Sequence, residues 1–589
     1  MCGVLFILGV VPPSSDPEVS DQPALAAFFS RLTSHDIPEM NAMLSNRGPD
    51  VSSFGSALYS SSAGSPKVLL GFWGHTLFLR GTQATRQPLV HPKTGDMLCW
   101  NGEVFGGLEV PLESNDGQTI LDLLAGYQTH EEIAELFCRL EGPHGFVFYK
   151  ASLGAVYFGR DKLGIRSLLK ATSPSGKDGA WLSLASLGPS SSYIGSDSGL
   201  SCSDWEEVDT NTLFYIDLKT LERTSKPVAK VITRPSSSYL TISTKLLEDP
   251  LPEFPQSDSK GSGELTLAQE IFRFHLTQKE YIESVQGLEK ALLESIRRRV
   301  VSIPQNGEAA RLGILFSGGI DCTMLAYYAH RFLPAGEPLD LLNVSFENPR
   351  IAALSVSKGQ APPPAPDRIS GLSSLEELKL LCPGREFRFI AIDVTFAEVE
   401  ACRDRLLVLL HPNVTEMDLS IAMAFWFAAR GRGTLSTKPY TSKAKVLLSG
   451  LGADEQLAGY SRHRSAFERG SIPELVKEVQ LDVSRISTRN LGRDDRVVSD
   501  QGKEARYPYL DGGVMAFLNR LPVQIKAAMH YPRGIGEKFL LRLLASQVGF
   551  TAPASFPKRA VQFGARTAKM RPGDAKSKGH HLLKPDKSG

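Results

Sequence analysis

Three groups of residues in this 589-residue chain have the types and spacing to do chemistry. Cys2 directly follows Met1, and loss of an initiator methionine ahead of a small residue leaves a cysteine bearing a free amine. That amine, with an ordinary pKa of about 7.7–8.0, sits close to the thiol's value of about 8.5, so one residue can supply both nucleophile and base. The run Leu312-Gly-Ile-Leu-Phe-Ser-Gly-Gly-Ile-Asp-Cys-Thr323 places small residues between an apolar strand-like run and a helical one. Backbone N–H groups in such a loop can face an anion, and the helix dipole that follows favours negative charge. The run is neither a Walker loop, because the lysine is missing, nor a dinucleotide fingerprint. Further on, Val446-Leu-Leu-Ser-Gly-Leu-Gly-Ala-Asp-Glu-Gln-Leu-Ala-Gly-Tyr460 sets carboxylates just after another apolar strand.

The surrounding chain shows how these groups are to be positioned. From 1 to about 225, short β-rich runs (Val68–Phe72, Met97–Trp100, Phe146–Tyr149, Val156–Phe158) alternate with Gly, Pro and Ser turns, which predicts a sheet-rich domain. Residues 226–277 carry Pro- and Ser-rich stretches and read as a linker. After about 278 the pattern turns to helix (Glu280–Val300), strand (Leu312–Phe316) and helix (Thr323–Phe332), the alternation of a parallel α/β sheet. The loop Ser355–Arg368, with Ala361-Pro-Pro-Pro-Ala-Pro366, is expected to be irregular and mobile, and the basic tail 571–589 to be solvated.

Composition narrows the class of partner. With 42% apolar and 22% charged residues and a net charge of +1, nothing points to nucleic acid. The apolar start Val4–Val11 has no basic lead and is too short to span a bilayer, so it reads as a buried strand. Seven widely spaced cysteines without a CxxC pair fit a reducing, cytoplasmic setting rather than disulfides or zinc.

Cys2-Gly-Val, Asn46-Arg-Gly-Pro-Asp50, Asn101-Gly-Glu-Val-Phe105, Asn115-Asp116 and Phe158-Gly-Arg-Asp-Lys-Leu-Gly-Ile-Arg166 together resemble the class II glutamine amidotransferase domain. The resemblance implies Cys2 as nucleophile, with the Asn101 side chain and the Gly102 N–H as oxyanion hole. It also implies glutamine held by Arg47, Asn101, Glu103 and Asp116.

The second half resembles the synthetase domain of glutamine-hydrolysing asparagine synthetases. Its SGGxD loop is similar to the pyrophosphate loop of enzymes that split ATP to AMP and pyrophosphate. The resemblance implies an ATP site from Leu315, Ser317, Gly318, Gly319, Asp321, Cys322, Thr323, Val344, Ser449, Gly450 and Lys538, with Asp321 and Asp454 carrying Mg²⁺. It implies an N-terminal nucleophile αββα sandwich over 2–225, joined by the 226–277 linker to an adenine-nucleotide α-hydrolase-like parallel-sheet domain over 278–570. The activity implied is ATP-dependent activation of aspartate, or a related carboxylate, and its amidation by ammonia from glutamine.

One departure carries chemical weight. In the synthetases the motif after the strand reads G-E-G, and its glutamate is thought to act as general base; here Leu451 stands there. A general base typically contributes about 10²–10⁴ in rate, so amide formation by the ordinary route should be crippled. Glu455 matches another family position, and Glu416-Met-Asp-Leu-Ser-Ile-Ala422 lacks an expected arginine. The chain therefore looks closest to the asparagine synthetase domain-containing branch, and a nucleotide- and glutamine-binding regulatory protein is the alternative.

Overall fold

The computed structural model describes residues 2–11, 36–62, 65–176, 179–189, 205–224, 226–234, 238–245, 247, 252–255, 266–305, 307–413, 415–568, 570 and 580–582. In chain order the described strands of the N-terminal half are β1 (Gly3–Val11), β2 (Val51–Tyr59), β3 (Lys67–Thr76), β4 (Leu89–Val90), β5 (Met97–Gly102), β6 (His144–Lys150), β7 (Ala155–Arg160), β8 (Leu169–Gly176), β9 (Gly179–Ala185), β10 (Glu206–Glu207), β11 (Thr212–Asp217) and β12 (Lys230–Thr233). They form two antiparallel sheets, ordered β10-β8-β9-β1-β3-β2 and β12-β11-β7-β6-β5-β4.

The sheets face each other across a dry layer. Val4, Phe6 and Leu8 of the first meet Cys99, Val147 and Phe158 of the second. On the outer face of the first sheet, Met40, Met43 and Leu44 of helix Asp36–Arg47 cover Leu5 and Ile7. On the outer face of the second, helices Asp116–Gly126 and His130–Arg139 bury Ile120, Leu124 and Phe137 against Trp100 and Phe148. The order is helix, sheet, sheet, helix, as alternating apolar strands with both faces covered require.

The C-terminal half is built on β13 (Leu312–Leu315), β14 (Leu339–Phe346), β15 (Phe387–Val394), β16 (Arg432–Leu435), β17 (Lys438–Thr441), β18 (Val446–Leu448) and β19 (Glu504–Arg506), in the order β17-β16-β15-β14-β13-β18-β19. Strands β15, β14, β13, β18 and β19 run parallel, with helices on both faces, while β16 and β17 add an antiparallel edge. Near-continuous burial of β14 is what a central parallel strand demands. Because β13 pairs with β18, the loops leaving Leu315 and Leu448 emerge side by side at the carboxyl end of the sheet, where ligands bind in open α/β folds. No described helix is long and apolar enough to cross a membrane.

Two stretches differ from expectation. The segment 226–277 carries β12, which extends the second sheet, and helix Leu267–His275, whose Ile271 and Phe272 sit in the core beneath β13. The Pro-rich stretch is largely bounded by structure: Ser355 closes helix Pro349–Val356, and Pro366 opens helix Pro366–Leu381. Proline is favoured in a helix's first turn, where its missing N–H leaves no bond unmade. Between them, Arg566 donates to the carbonyls of Pro363 and Pro364. In the tail, 571–579 and 583–589 lie outside the described residues, while the His581 carbonyl accepts from the Glu416 N–H.

The halves meet through buried ions. Asp495 pairs with Arg47 (2.7 Å) and Arg166 (3.4 Å) and accepts from the Ser167 N–H. Glu504 pairs with Arg166 and Arg506 at 2.5 and 2.6 Å, and all five side chains are essentially inaccessible. Burial pushes the Glu504 carboxyl up, but Arg166 and Arg506 outweigh it and hold it at about 2. A folded-state value below the unfolded one of about 4.3 stabilises the fold above that pH, and the contribution is lost as pH falls through 2. Glu504→Gln should therefore lose about 3–5 kcal/mol in urea unfolding at pH 7, the cost of stranding buried guanidinium groups. The deficit against wild type should shrink between pH 4 and 2; a deficit unchanged with pH would contradict the ionic account.

Candidate functional site

Cys2 lies in the strand lead-in that brings the start of the chain against β5. Its backbone N donates to Asn101 Oδ1 at 2.9 Å, and Gln87 Nε2 lies 3.3 Å from its Sγ. Gln87 is fixed by two bonds to the Trp100 backbone, accepting from its N–H and donating to its carbonyl. Burial pushes the Cys2 thiol up; the positive amino terminus and the Leu77 N–H draw it down, and Asp116 and Glu504 push it up again. Asn101 Nδ2 is buried without a hydrogen-bond partner, an amide donor with capacity to spare. At Gly102 a side chain would lie 2.7 Å from the Pro143 carbonyl, so only glycine keeps its backbone beside Asn101.

Two carboxyls complete this wall. Asp116, the first residue of the helix that Asn115 caps, accepts from the Gly117 N–H at 2.9 Å and from the Val104 N–H at 3.0 Å. Glu103 is held near Arg506 (3.5 Å) and Arg80 (3.9 Å), yet burial dominates and pushes it up to about 8. A carboxyl kept neutral at pH 7 with Oε2 unbonded is primed for a cationic partner, whose arrival would draw its proton off. Arg47, expected among the glutamine contacts, donates its Nη2 to Asp495 across the interface. Gln87, Arg80 and Arg506 were not foreseen as neighbours of this site. Arg506 lay in a recognised motif, but nothing local in the sequence of Gln87 or Arg80 marks either.

The second site is a cavity of about 690 Å³ at the carboxyl ends of β13 and β18. It is lined by Leu315, Ser317, Gly319, Asp321, Cys322, Val344, Ser449, Gly450, Leu451 and Asp454, among others. Gly319 caps helix Ile320–Ala329 without any side-chain bond to the helix N–H groups. The loop is braced from behind by helix Pro366–Leu381, where Ser370 and Ser374 donate to the carbonyls of Ser317 and Gly318. Gly318 takes φ +76°, and a side chain there would strike the Gly371 N at 2.3 Å. Thr323, expected at the nucleotide, is fully buried and donates its hydroxyl to the Gly319 carbonyl, which makes it a support of the loop.

Lys538 Nζ bridges Asp321 (2.5 Å) and Asp454 (2.8 Å); burial pushes both carboxyls up and prevails at Asp321, where Asp454 adds to it, while Lys538 and Lys558 outweigh it at Asp454 and draw that carboxyl down. Asp321 Oδ1 is buried and unpartnered. Among the described residues no three His, Cys, Asp or Glu side chains cluster as a metal cage. The donor set thus fits Mg²⁺ delivered with phosphate oxygens, since that ion keeps waters and takes only one or two protein carboxylates. Glu455 faces inward as a cap, accepting from the Gly452 N–H and the Tyr460 hydroxyl, so it cannot stand in for the glutamate that Leu451 replaces.

The asparagine synthase family matches residues 468–587. The asparagine synthetase domain-containing protein 1 of Bos taurus is 37% identical over 585 residues, covering 86% of this chain and 90% of that protein. The chain belongs to that family. The Gallus gallus asparagine synthetase domain-containing protein 1 is 33% identical over 660 residues and covers 98% of both chains. Among solved structures, a Bacillus subtilis glutamine phosphoribosylpyrophosphate amidotransferase aligns at 14% identity and a TM-score of 0.24, covering 58% of this chain and 66% of that one.

The Lys538 bridge makes a direct prediction. Lys538→Met leaves two buried carboxyls side by side, so one of them binds a proton above its unfolded value of about 3.9. The variant should be destabilised by about 2–4 kcal/mol at pH 8 and by clearly less at pH 5, as read by denaturant unfolding. An equal loss at both values would mean that the lysine does not hold the pair.

Proposed function

We propose that the chain is a glutamine-hydrolysing, ATP-dependent amide synthetase of the asparagine synthetase type, with an N-terminal nucleophile domain and an ATP-pyrophosphate-loop domain acting in sequence. The observation that carries this reading is the segment Glu504–Asp511, which touches both sites. Arg506 reaches Glu103 beside Cys2, its carbonyl holds the Ser449 N–H, and the Tyr509 hydroxyl donates to the Asp321 carbonyl.

With Met1 removed, the Cys2 amine takes the thiol proton and Sγ attacks the side-chain amide carbon of glutamine. Negative charge on the tetrahedral oxygen falls to Asn101 Nδ2 and the Gly102 N–H. Glu103 and Asp116 meet the substrate ammonium, and Arg47, whose Nη2 is on Asp495, takes its carboxylate. Ammonia departs with the returned proton, and water hydrolyses the thioester to glutamate. In the cavity, the loop Ser317–Gly319, the bare N–H groups of the following helix and Lys538 hold phosphates, while Val344, Ser449 and Gly450 border the nucleoside. An acceptor carboxylate displaces pyrophosphate from ATP, and ammonia then displaces AMP to leave the amide. Asp321 and Asp454 would hold Mg²⁺, which would supply charge neutralisation for pyrophosphate. The unpaired cysteines described here fit a cytoplasmic setting.

A second reading is favoured by Leu451, an apolar side chain on the cavity wall where a proton acceptor is needed. On it, the protein binds ATP and glutamine as a regulator and no longer makes amide. The readings separate by AMP release with aspartate, ATP and either glutamine or ammonium. Synthesis predicts AMP and amide from both nitrogen sources, with Cys2→Ala losing only the glutamine-driven part. The regulatory reading predicts no AMP from wild type and a gain of about 10²-fold or more in Leu451→Glu. Wild-type turnover at an ordinary rate contradicts the second reading, and absence of AMP under both conditions contradicts the first.

A further inference from the structure

Arg234, just past β12, is a buried cation whose counter-charge the fold does not supply. Its backbone N–H is fixed on the Asn211 carbonyl, and the residue is only 6% exposed. Nε, Nη1 and Nη2 are all buried, and none has a hydrogen-bond partner among the described residues. The carboxylates that act on it do so from a distance and are committed elsewhere. Asp161 accepts from the N–H groups of His144, Leu163, Ile165 and Arg166, and Asp209 from Asn211 and Thr212. A guanidinium does not shed its proton in a protein, and an isolated ion is among the most costly groups a fold can bury.

A second unpartnered group lies beside it. His144 on β6 has its Nδ1 3.1 Å from the Gly142 carbonyl, while its Nε2 is buried and without a partner among the described residues. Burial, and after it Arg234, push the ring's pKa down to about 3. Both side chains share one patch on the outer face of the second sheet. Gly159 is the cross-strand partner of Phe146, and a side chain begun there would sit 3.4 Å from Arg234 Nη2 and 3.3 Å from the Phe146 ring. The His144 and Phe146 ring centres are 6.3 Å apart. Phe137 of helix His130–Arg139 lies flat on Phe146 at 3.6 Å, and Trp100 stacks on His144 at 5.3 Å, so the two polar groups are enclosed by aromatic rings.

We propose that Arg234 holds a small inorganic anion, halide or oxyanion, in a buried site of the N-terminal domain, with His144 as the second ligand. The anion neutralises the guanidinium and removes the repulsion that keeps His144 uncharged, so Nε2 takes up a proton and donates a hydrogen bond to the ion. The site shares no residue with the cysteine site or the cavity at the end of the parallel sheet, and it stands apart from the amide-synthetase reading.

Thermal unfolding of the full chain at constant ionic strength tests this, with sodium gluconate replaced stepwise by sodium chloride or, in a second series, by sodium phosphate. Gluconate is the bulky control, and the other two arms tell a halide from an oxyanion. The wild-type midpoint should rise by about 2 °C or more and then level off with at least one of the two ions, because an ion that binds only the folded chain stabilises it by mass action. In gluconate, Arg234→Met should unfold at or above the wild-type temperature, since an uncompensated buried cation has been removed; once wild type is saturated the order should reverse. His144→Phe should need about 10-fold more anion for half of the rise, the worth of one charge-assisted bond. An arginine with only a structural role would lose the same stability in every salt. That result, a wild-type midpoint that does not level off with either ion, or a response kept by Arg234→Met or unchanged in His144→Phe, overturns the site.

Discussion

The architecture turns on one buried chain of charge: Arg506, Glu504, Arg166, Asp495 and Arg47, alternating in sign across the contact between the two halves, with the Glu103 carboxyl at its end. Each ion is costly to take out of water, and each is tolerable only because its neighbours are fixed by secondary structure. Breaking one link strands the next. The halves are thereby locked in a single relative position, with Glu504 close enough to the Cys2 sulfur to act on it electrostatically.

The same chain gives the two sites a shared element. Strand β19 sends Glu504 and Arg506 toward the cysteine, while its backbone pairs with β18, whose end becomes the cavity loop Ser449–Asp454. A charge arriving at Glu103 changes what Arg506 balances, and the Arg506 carbonyl holds the Ser449 N–H of the cavity loop. Arg47 adds a further link, because it shares Asp495 with Arg166 and the Ser167 N–H.

What was legible in the sequence was local. Strands around Phe146 and Val156, the SGG loop before a helix and the parallel alternation after 278 all follow from periodicity and small residues, which act over a few positions. What was not legible was set by distance. Arg47 and Asp495 lie 448 positions apart, and nothing near either one announces the pairing. Thr323 had a hydroxyl in the right stretch, but the helix turned it back on its own loop. Proline runs were read as breakers, although Pro366 occupies the one helical turn where proline is welcome. Leu451 was visible from the start, and the structure adds that Glu455 is bound up as a cap.

Nitrogen transfer between the sites is the central claim, and isotope competition tests it most directly. The full chain would be given glutamine labelled with ¹⁵N in the side-chain amide, ATP, an acceptor acid and an excess of unlabelled ammonium, and the product amide read by mass spectrometry. The account predicts amide carrying the glutamine label with little dilution by the ammonium in solution. Product diluted to the composition of the bulk pool, or glutamine consumed without any labelled amide, would show that the two sites do not act as one.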